Sequence, residues 1–143
     1  MPVNSWVLVL DTSALFAWIN KKDPDHPWVR HHLENFPGDL LFPIPLLSEV
    51  GYLVERRMGV GVLARFLEDL EAGFFVGYWD PAILPQVRRL VLRYQDLPLG
   101  FADAYVAVTA LVQEAPVVTL DHHFLVLARG EGLTVLHPDI PPP

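Results

Sequence analysis

Apolar residues in this chain come in two rhythms. Short unbroken runs, Val7-Leu8-Val9-Leu10 and Pro116-Val117-Val118-Thr119-Leu120, lack polar alternation, the pattern of strands covered on both faces of a parallel sheet. Longer stretches repeat apolar residues every three or four positions, as amphipathic helices do. Together they predict strands over 7–10, 40–42, 74–78, 116–120 and 133–136, and helices over 13–19, 26–36, 46–58, 62–72, 81–94 and 101–113. Turn residues punctuate them, as in Asn20-Lys21-Lys22-Asp23-Pro24-Asp25 and Pro37-Gly38-Asp39. Strands alternating with helices indicate an α/β fold with a parallel sheet.

Two of the strand runs end in an acid: Leu10 leads into Asp11-Thr12-Ser13, and Leu120 into Asp121-His122-His123. In parallel α/β sheets, ligands gather just beyond the carboxyl ends of the strands. Two helices add further acids. The stretch from Phe101 to Gln113 is apolar all round, and its one charge is Asp103. In the helix over 46–58, Glu49 stands among Leu46, Leu47, Val50, Leu53 and Val54, on the flank of the buried stripe, where it needs a partner. Each acid also has a plain structural explanation. Asp11 and Asp121 can cap the segments that follow, Asp103 can complement a helix dipole, and Glu49 can pair with Arg56.

At 143 residues the chain is expected to form one domain over 1–143, with a frayed tail from about 138. Hydrophobic residues make up 52% of it, which excludes a disordered chain, yet no run approaches the roughly 18 apolar residues of a membrane span. No basic segment precedes the first apolar run, and there is no cysteine for a disulfide or thiolate metal site; a cytoplasmic protein is expected. The net charge of −7 argues against broad, non-specific nucleic-acid binding. Gly59-Val60-Gly61 follows a helix and lacks a third glycine, so it is no dinucleotide fingerprint. The adjacent pairs His31-His32 and His122-His123 lack the spacing of a helical metal pair and read as solvent-facing or turn residues. Arg88, Arg89 and Arg93 fall on the wet side of their helix.

Acids placed at strand ends inside an apolar chain repel one another, and a hard divalent cation with oxygen ligands, Mg²⁺ or Mn²⁺, relieves that repulsion. Such an ion orients phosphate and lowers the pKa of bound water, which points to phosphodiester hydrolysis.

Four stretches, Leu-Asp-Thr-Ser-Ala (10–14), Pro-Leu-Leu-Ser-Glu-Val (45–50), Asp-Leu-Pro-Leu-Gly-Phe-Ala-Asp-Ala (96–104) and Val-Thr-Leu-Asp-His-His-Phe (118–124), resemble in this order the PIN-domain ribonucleases of the VapC toxin kind. The resemblance spans nearly the whole chain. It implies a three-layer α/β/α sandwich with a five-stranded parallel sheet and a Mg²⁺- or Mn²⁺-dependent endoribonuclease. It implies a catalytic quartet on Asp11, Glu49, Asp103 and Asp121, with the metal held chiefly by Asp11 and Asp103. Ser13 and Thr119 match supporting hydroxyls, and Asp96 matches an extra acid in the loop. The implied partners are an RNA substrate, a second copy in a homodimer, and an antitoxin whose extended segment occupies the acidic cleft. Other phosphate chemistries fit less well. A dehalogenase-type phosphatase needs a second Asp where Ser13 stands, and a receiver domain needs a late lysine, whereas the only lysines are Lys21 and Lys22. The remaining alternative is a catalytically silent PIN-like module that binds RNA or protein.

Overall fold

The computed structural model describes residues 5–97 and 99–141. Along them the chain forms five strands: β1 (Val7–Leu10), β2 (Asp39–Pro43), β3 (Val76–Tyr78), β4 (Val117–Val118) and β5 (Val135–Leu136). Seven α-helices alternate with them: α1 (Thr12–Ile19), α2 (His26–Glu34), α3 (Pro45–Met58), α4 (Val60–Glu71), α5 (Leu84–Arg93), α6 (Phe101–Gln113) and α7 (His123–Glu131). Every strand pair is parallel, in the order β3-β2-β1-β4-β5.

Leu8, Val9 and Leu10 of β1 are all 1% exposed or less. Successive side chains of a strand point to opposite faces, so both faces of the sheet's centre are covered by helices. The result is a three-layer α/β/α sandwich. Strand order reverses beside β1: β2 and β3 build out to one edge, and α6 carries the chain back across β1 and β2 to β4 on the other side. The carboxyl ends of β1 and β4 therefore flank a topological switch point. α6 explains its own apolar character here. Ala104, Tyr105, Val106, Ala107, Val108, Thr109 and Ala110 are all buried, and Thr109 returns its hydroxyl to Tyr105 O at 2.7 Å.

The boundaries depart from the sequence expectation where side chains find better partners. Phe74 and Phe75 do not extend β3. Gly73, at φ +80°, turns them towards Trp18, whose ring lies 5.3 and 5.0 Å from theirs. The helix expected over 81–94 begins as a 3₁₀ turn, Pro81–Ile83, because Asp80 caps Ala82 N at 2.9 Å and a second proline, Pro85, starts α5 proper. α7 has no counterpart in the expected elements. It buries Phe124 and Leu127 and ends at Gly132, whose φ of +75° favours glycine. Of the expected tail, Ile140 packs against the core, and residues 142 and 143 lie outside the described residues. No helix among the described residues is long and apolar enough to cross a membrane.

Candidate active site

Asp11 ends β1 and opens α1, and its carboxylate accepts the Ala14 N–H at 2.8 Å, so it does cap the helix. A cap is normally exposed, but Asp11 is 2% exposed. Its remaining acceptor capacity is met by two hydroxyls, one of them from the far side of the switch point. Thr119 Oγ1 donates to Oδ2 at 2.5 Å, and Ser13 Oγ donates to Oδ1 and Oδ2 at 2.7 and 2.9 Å. Each hydroxyl is itself aimed by the backbone beyond β4: Leu120 N–H donates to Ser13 Oγ and Asp121 N–H to Thr119 Oγ1, both at 2.9 Å. With a lone pair on each hydroxyl already taken, its single proton is left for Asp11. β1 and β4 are thereby tied together through one carboxylate.

That carboxylate is nevertheless hard to ionise. Burial pushes the Asp11 carboxyl from 3.8 up to about 7, against the hydrogen bonds from Thr119, Ala14 and Ser13, and the charge of Asp103 adds to the rise.

Asp103 sits in the first turn of α6, half-buried. Dipole complementarity would favour its ionised form. Instead its carboxyl is raised, first by burial and then by the charges of Asp121 and Glu49, with His123 opposing. Asp121 follows β4, one residue before the N-cap of α7, and accepts the His123 N–H at 2.9 Å. Ligand atoms of Asp103, Asp121 and His123 all lie within 4.8 Å of one another. His123 Nδ1 stands 3.6 Å from Asp121 Oδ1.

This trio differs from the expected pairing of Asp11 with Asp103. Asp11 lies outside this trio but near enough for the charge of Asp103 to raise its carboxyl, and the trio includes His123, which the sequence presented as a turn residue. The surroundings of Glu49 differ from the sequence expectation. Glu49 is exposed, not held on a buried flank: it lies one residue, about 100° of helix turn, from Val50, at the centre of the buried stripe Leu46–Val50–Val54. Among the described residues it pairs with no cation, and its charge is felt by Asp103. Asp96 is exposed in the loop after α5 and takes no part in the trio. The signal for His123 was present but indirect. Phe124, Leu127 and Ala128 keep helical spacing behind Asp121, and a cap two residues ahead of a histidine places that histidine in a helix's first turn.

Three of the arginines are engaged with other acids. Arg89 and Arg93 both pair with the nearly buried Glu131, at 3.1 and 2.8 Å, and Arg30 pairs with Glu34.

Comparison with known proteins shows the family and the fold. The PIN domain family model matches residues 8–130. The chain is 32% identical over 123 residues to Ribonuclease VapC26 of Mycobacterium tuberculosis, covering 84% of this chain and 91% of that protein. Among solved structures, the fold matches VapC20 of Mycobacterium tuberculosis, described as a sarcin-ricin loop cleaving toxin, with a TM-score of 0.75 at 17% identity over 84% of this chain and 94% of the other. It also matches VapBC2 from Rickettsia felis bound to a fragment of promoter DNA, with a TM-score of 0.68 at 16% identity over 93% of this chain and 99% of that one. At these identities the structural likeness speaks for the fold.

Proposed function

The chain belongs to the PIN-domain family, and on that premise we propose that it is a Mg²⁺- or Mn²⁺-dependent endoribonuclease, the toxin of a toxin–antitoxin pair. The observation that carries the reading is the convergence of acids from three separate elements at the switch point. Two of them, Asp11 and Asp103, have carboxyls raised first by burial and then by neighbouring acids, the condition a divalent cation relieves. The ribonuclease relative, matched along 91% of its own length, supplies the substrate class.

In this reading Asp11, Glu49, Asp103 and Asp121 form the catalytic group, with Asp11 and Asp103 as chief metal ligands. A bound Mg²⁺ or Mn²⁺ would orient the phosphate, polarise its oxygens and lower the pKa of a water. The chain's own residues do the rest. Ser13 and Thr119 fix the Asp11 carboxylate in one orientation and spread its charge over two hydroxyl donors. Asp121 is held by its bond from His123 N and sits beside Asp103. Exposed Glu49 leaves room for a polymer to approach from the α3 side. The sparse basic residues favour RNA held by few local contacts and the metal.

The partners follow from the same premise. Exposed Ile44, Tyr52, Trp79, Leu84 and Phe101 supply apolar surface that supports a twofold contact with a second copy. Neighbours solved as toxin–antitoxin assemblies support an antitoxin partner. The test is cleavage of mixed RNA by the purified chain with Mn²⁺, with Mg²⁺ and with EDTA. Cleavage in both metals and none in EDTA is expected; cleavage unaffected by EDTA would overturn the metal-dependent reading.

A further inference from the structure

A second group of metal-binding side chains lies outside the acidic trio, where the end of β5 meets the start of α7. His137 follows β5, Asp139 lies two residues on, and His122 precedes α7. Their ligand atoms all fall within 4.8 Å of one another. His122 Nε2 is 3.0 Å from Asp139 Oδ2, His137 Nδ1 is 4.0 Å from the same oxygen, and the two imidazole rings are centred 4.8 Å apart.

The environment of His137 sets it apart from an ordinary core residue. It is 3% exposed, its Nδ1 accepts the Asp139 N–H at 3.0 Å, and its Nε2 is buried without a partner. Accepting at Nδ1 places the ring proton on Nε2, so the neutral tautomer has its lone pair on the side of Asp139 and His122. An imidazole held this way carries the cost of an unpaired N–H. An ion bound at Nδ1 would take the place of the Asp139 N–H on that lone pair. The three residues also divide the work of a site: His137 is fixed by burial, while His122 and Asp139 are exposed and free to close on an ion.

We propose that His122, His137 and Asp139 form a binding site for a divalent transition ion of the Zn²⁺ class, separate from the acidic group. Two imidazoles and one carboxylate suit a borderline ion and not Mg²⁺, which prefers oxygen ligands and near-ideal octahedral geometry. Zn²⁺ and its spectroscopic substitute Co²⁺ take four ligands, so three protein atoms leave one position for water on the exposed side. Tetrahedral bonds of about 2.0–2.1 Å set ligand atoms roughly 3.4 Å apart. The two measured separations to Asp139, 3.0 and 4.0 Å, bracket that spacing, so small rotations of the exposed side chains suffice.

The experiment titrates the whole chain with Co²⁺ under excess Mg²⁺, following the visible absorption of four-coordinate cobalt, and repeats the titration with Zn²⁺ as competitor. His122→Ala and Asp139→Asn alter exposed side chains and keep the fold. Each is expected to weaken Co²⁺ binding by more than about tenfold, because losing even an outer-shell partner costs that much. Asp103→Asn, which damages the acidic trio, should leave the cobalt spectrum intact. The proposal is overturned if wild type develops no four-coordinate spectrum, or if the spectrum survives in His122→Ala. It is equally overturned if Asp103→Asn abolishes the spectrum, which would locate the ion in the acidic group. Because the readout is metal binding, it does not depend on whether the chain cleaves RNA.

Discussion

Replacing Asp11 by Asn separates a charge-crowded site from a set of helix caps, and its consequence is worked from the burial of one carboxyl. The Asp11 carboxyl rises from 3.8 to about 7 on folding, driven first by its removal from water. That rise from 3.8 to about 7 corresponds to roughly 4 kcal/mol between the protonated and ionised native states. Below about pH 4 both native and unfolded chains hold the proton, and Asp11 exacts no cost. Between about pH 4 and 7 the native state keeps a proton that the unfolded chain has released, so stability falls as pH rises. Above about pH 7 both states are ionised and the full cost stands. From pH 5 to 8 the loss is about 3 kcal/mol, or roughly 6–10 °C in melting temperature for a chain of this size.

In Asp11→Asn the side-chain amide would still accept from Ala14 N, and its NH₂ would donate to Thr119 Oγ1 in place of the bond Thr119 donates now, so the variant keeps the cap and removes the charge. The assay is a set of thermal melts of wild type and Asp11→Asn in EDTA at pH 5 and pH 8, repeated with Mn²⁺. In EDTA the mutant should gain on wild type by several degrees as pH rises. In Mn²⁺ the order should reverse, because a bound ion stabilises the native state that holds it. A difference between the two proteins that stays constant from pH 5 to 8 in EDTA would refute the reasoning. A mutant less stable at both values, with no response to metal, would leave Asp11 as a cap alone.

Thr119→Val removes the shortest bond to Asp11 and leaves Asp121 N–H without its acceptor. It should cost about 1–3 kcal/mol and push the Asp11 carboxyl higher still, so that Mn²⁺ stabilisation appears only at higher pH; melts across a pH series check this, and Thr119→Ser should restore the wild-type profile. Arg93→Ala takes one of two cations from Glu131 and should cost about 1 kcal/mol in urea unfolding, whereas Arg88→Ala should stay within about 0.5 kcal/mol. Neither should do more than weaken RNA binding. Light scattering at high micromolar concentration should give the mass of a dimer, and a monomer there would count against the twofold contact.

The sequence made the scaffold legible because the strongest patterns lie where burial is most complete. The unbroken apolar run of β1 and the all-round apolar α6 have one physical reading each, and both hold. Short elements were harder. β4 and β5 were found where their apolar runs put them, but at two residues each they are shorter than the expected 116–120 and 133–136. Phe74 and Phe75 fit a strand, but aromatic contacts with Trp18, more than fifty residues away, decide otherwise. The acids show the same division. Position beyond a strand end or in a helix's first turn could be read for Asp11, Asp103 and Asp121. The supporting hydroxyls of Ser13 and Thr119 came only through the family resemblance, since spacing alone does not bring Thr119 to Asp11 across 108 residues of chain. Glu49 sat at the edge of its helical stripe, where spacing alone does not say which way a side chain falls. His123 was obscured by its neighbour, because two adjacent histidines look alike in sequence but face different partners once α7 forms.

The most direct test of the central claim measures the rate of RNA cleavage against Mn²⁺ concentration for wild type and Asp103→Asn, with the fold of each checked by circular dichroism under the same conditions. Cleavage that rises with Mn²⁺ in wild type and vanishes in a folded Asp103→Asn is the predicted result. A folded Asp103→Asn that cleaves at the wild-type rate would contradict it, because the acids gathered at the switch point would then not be the site of the chemistry.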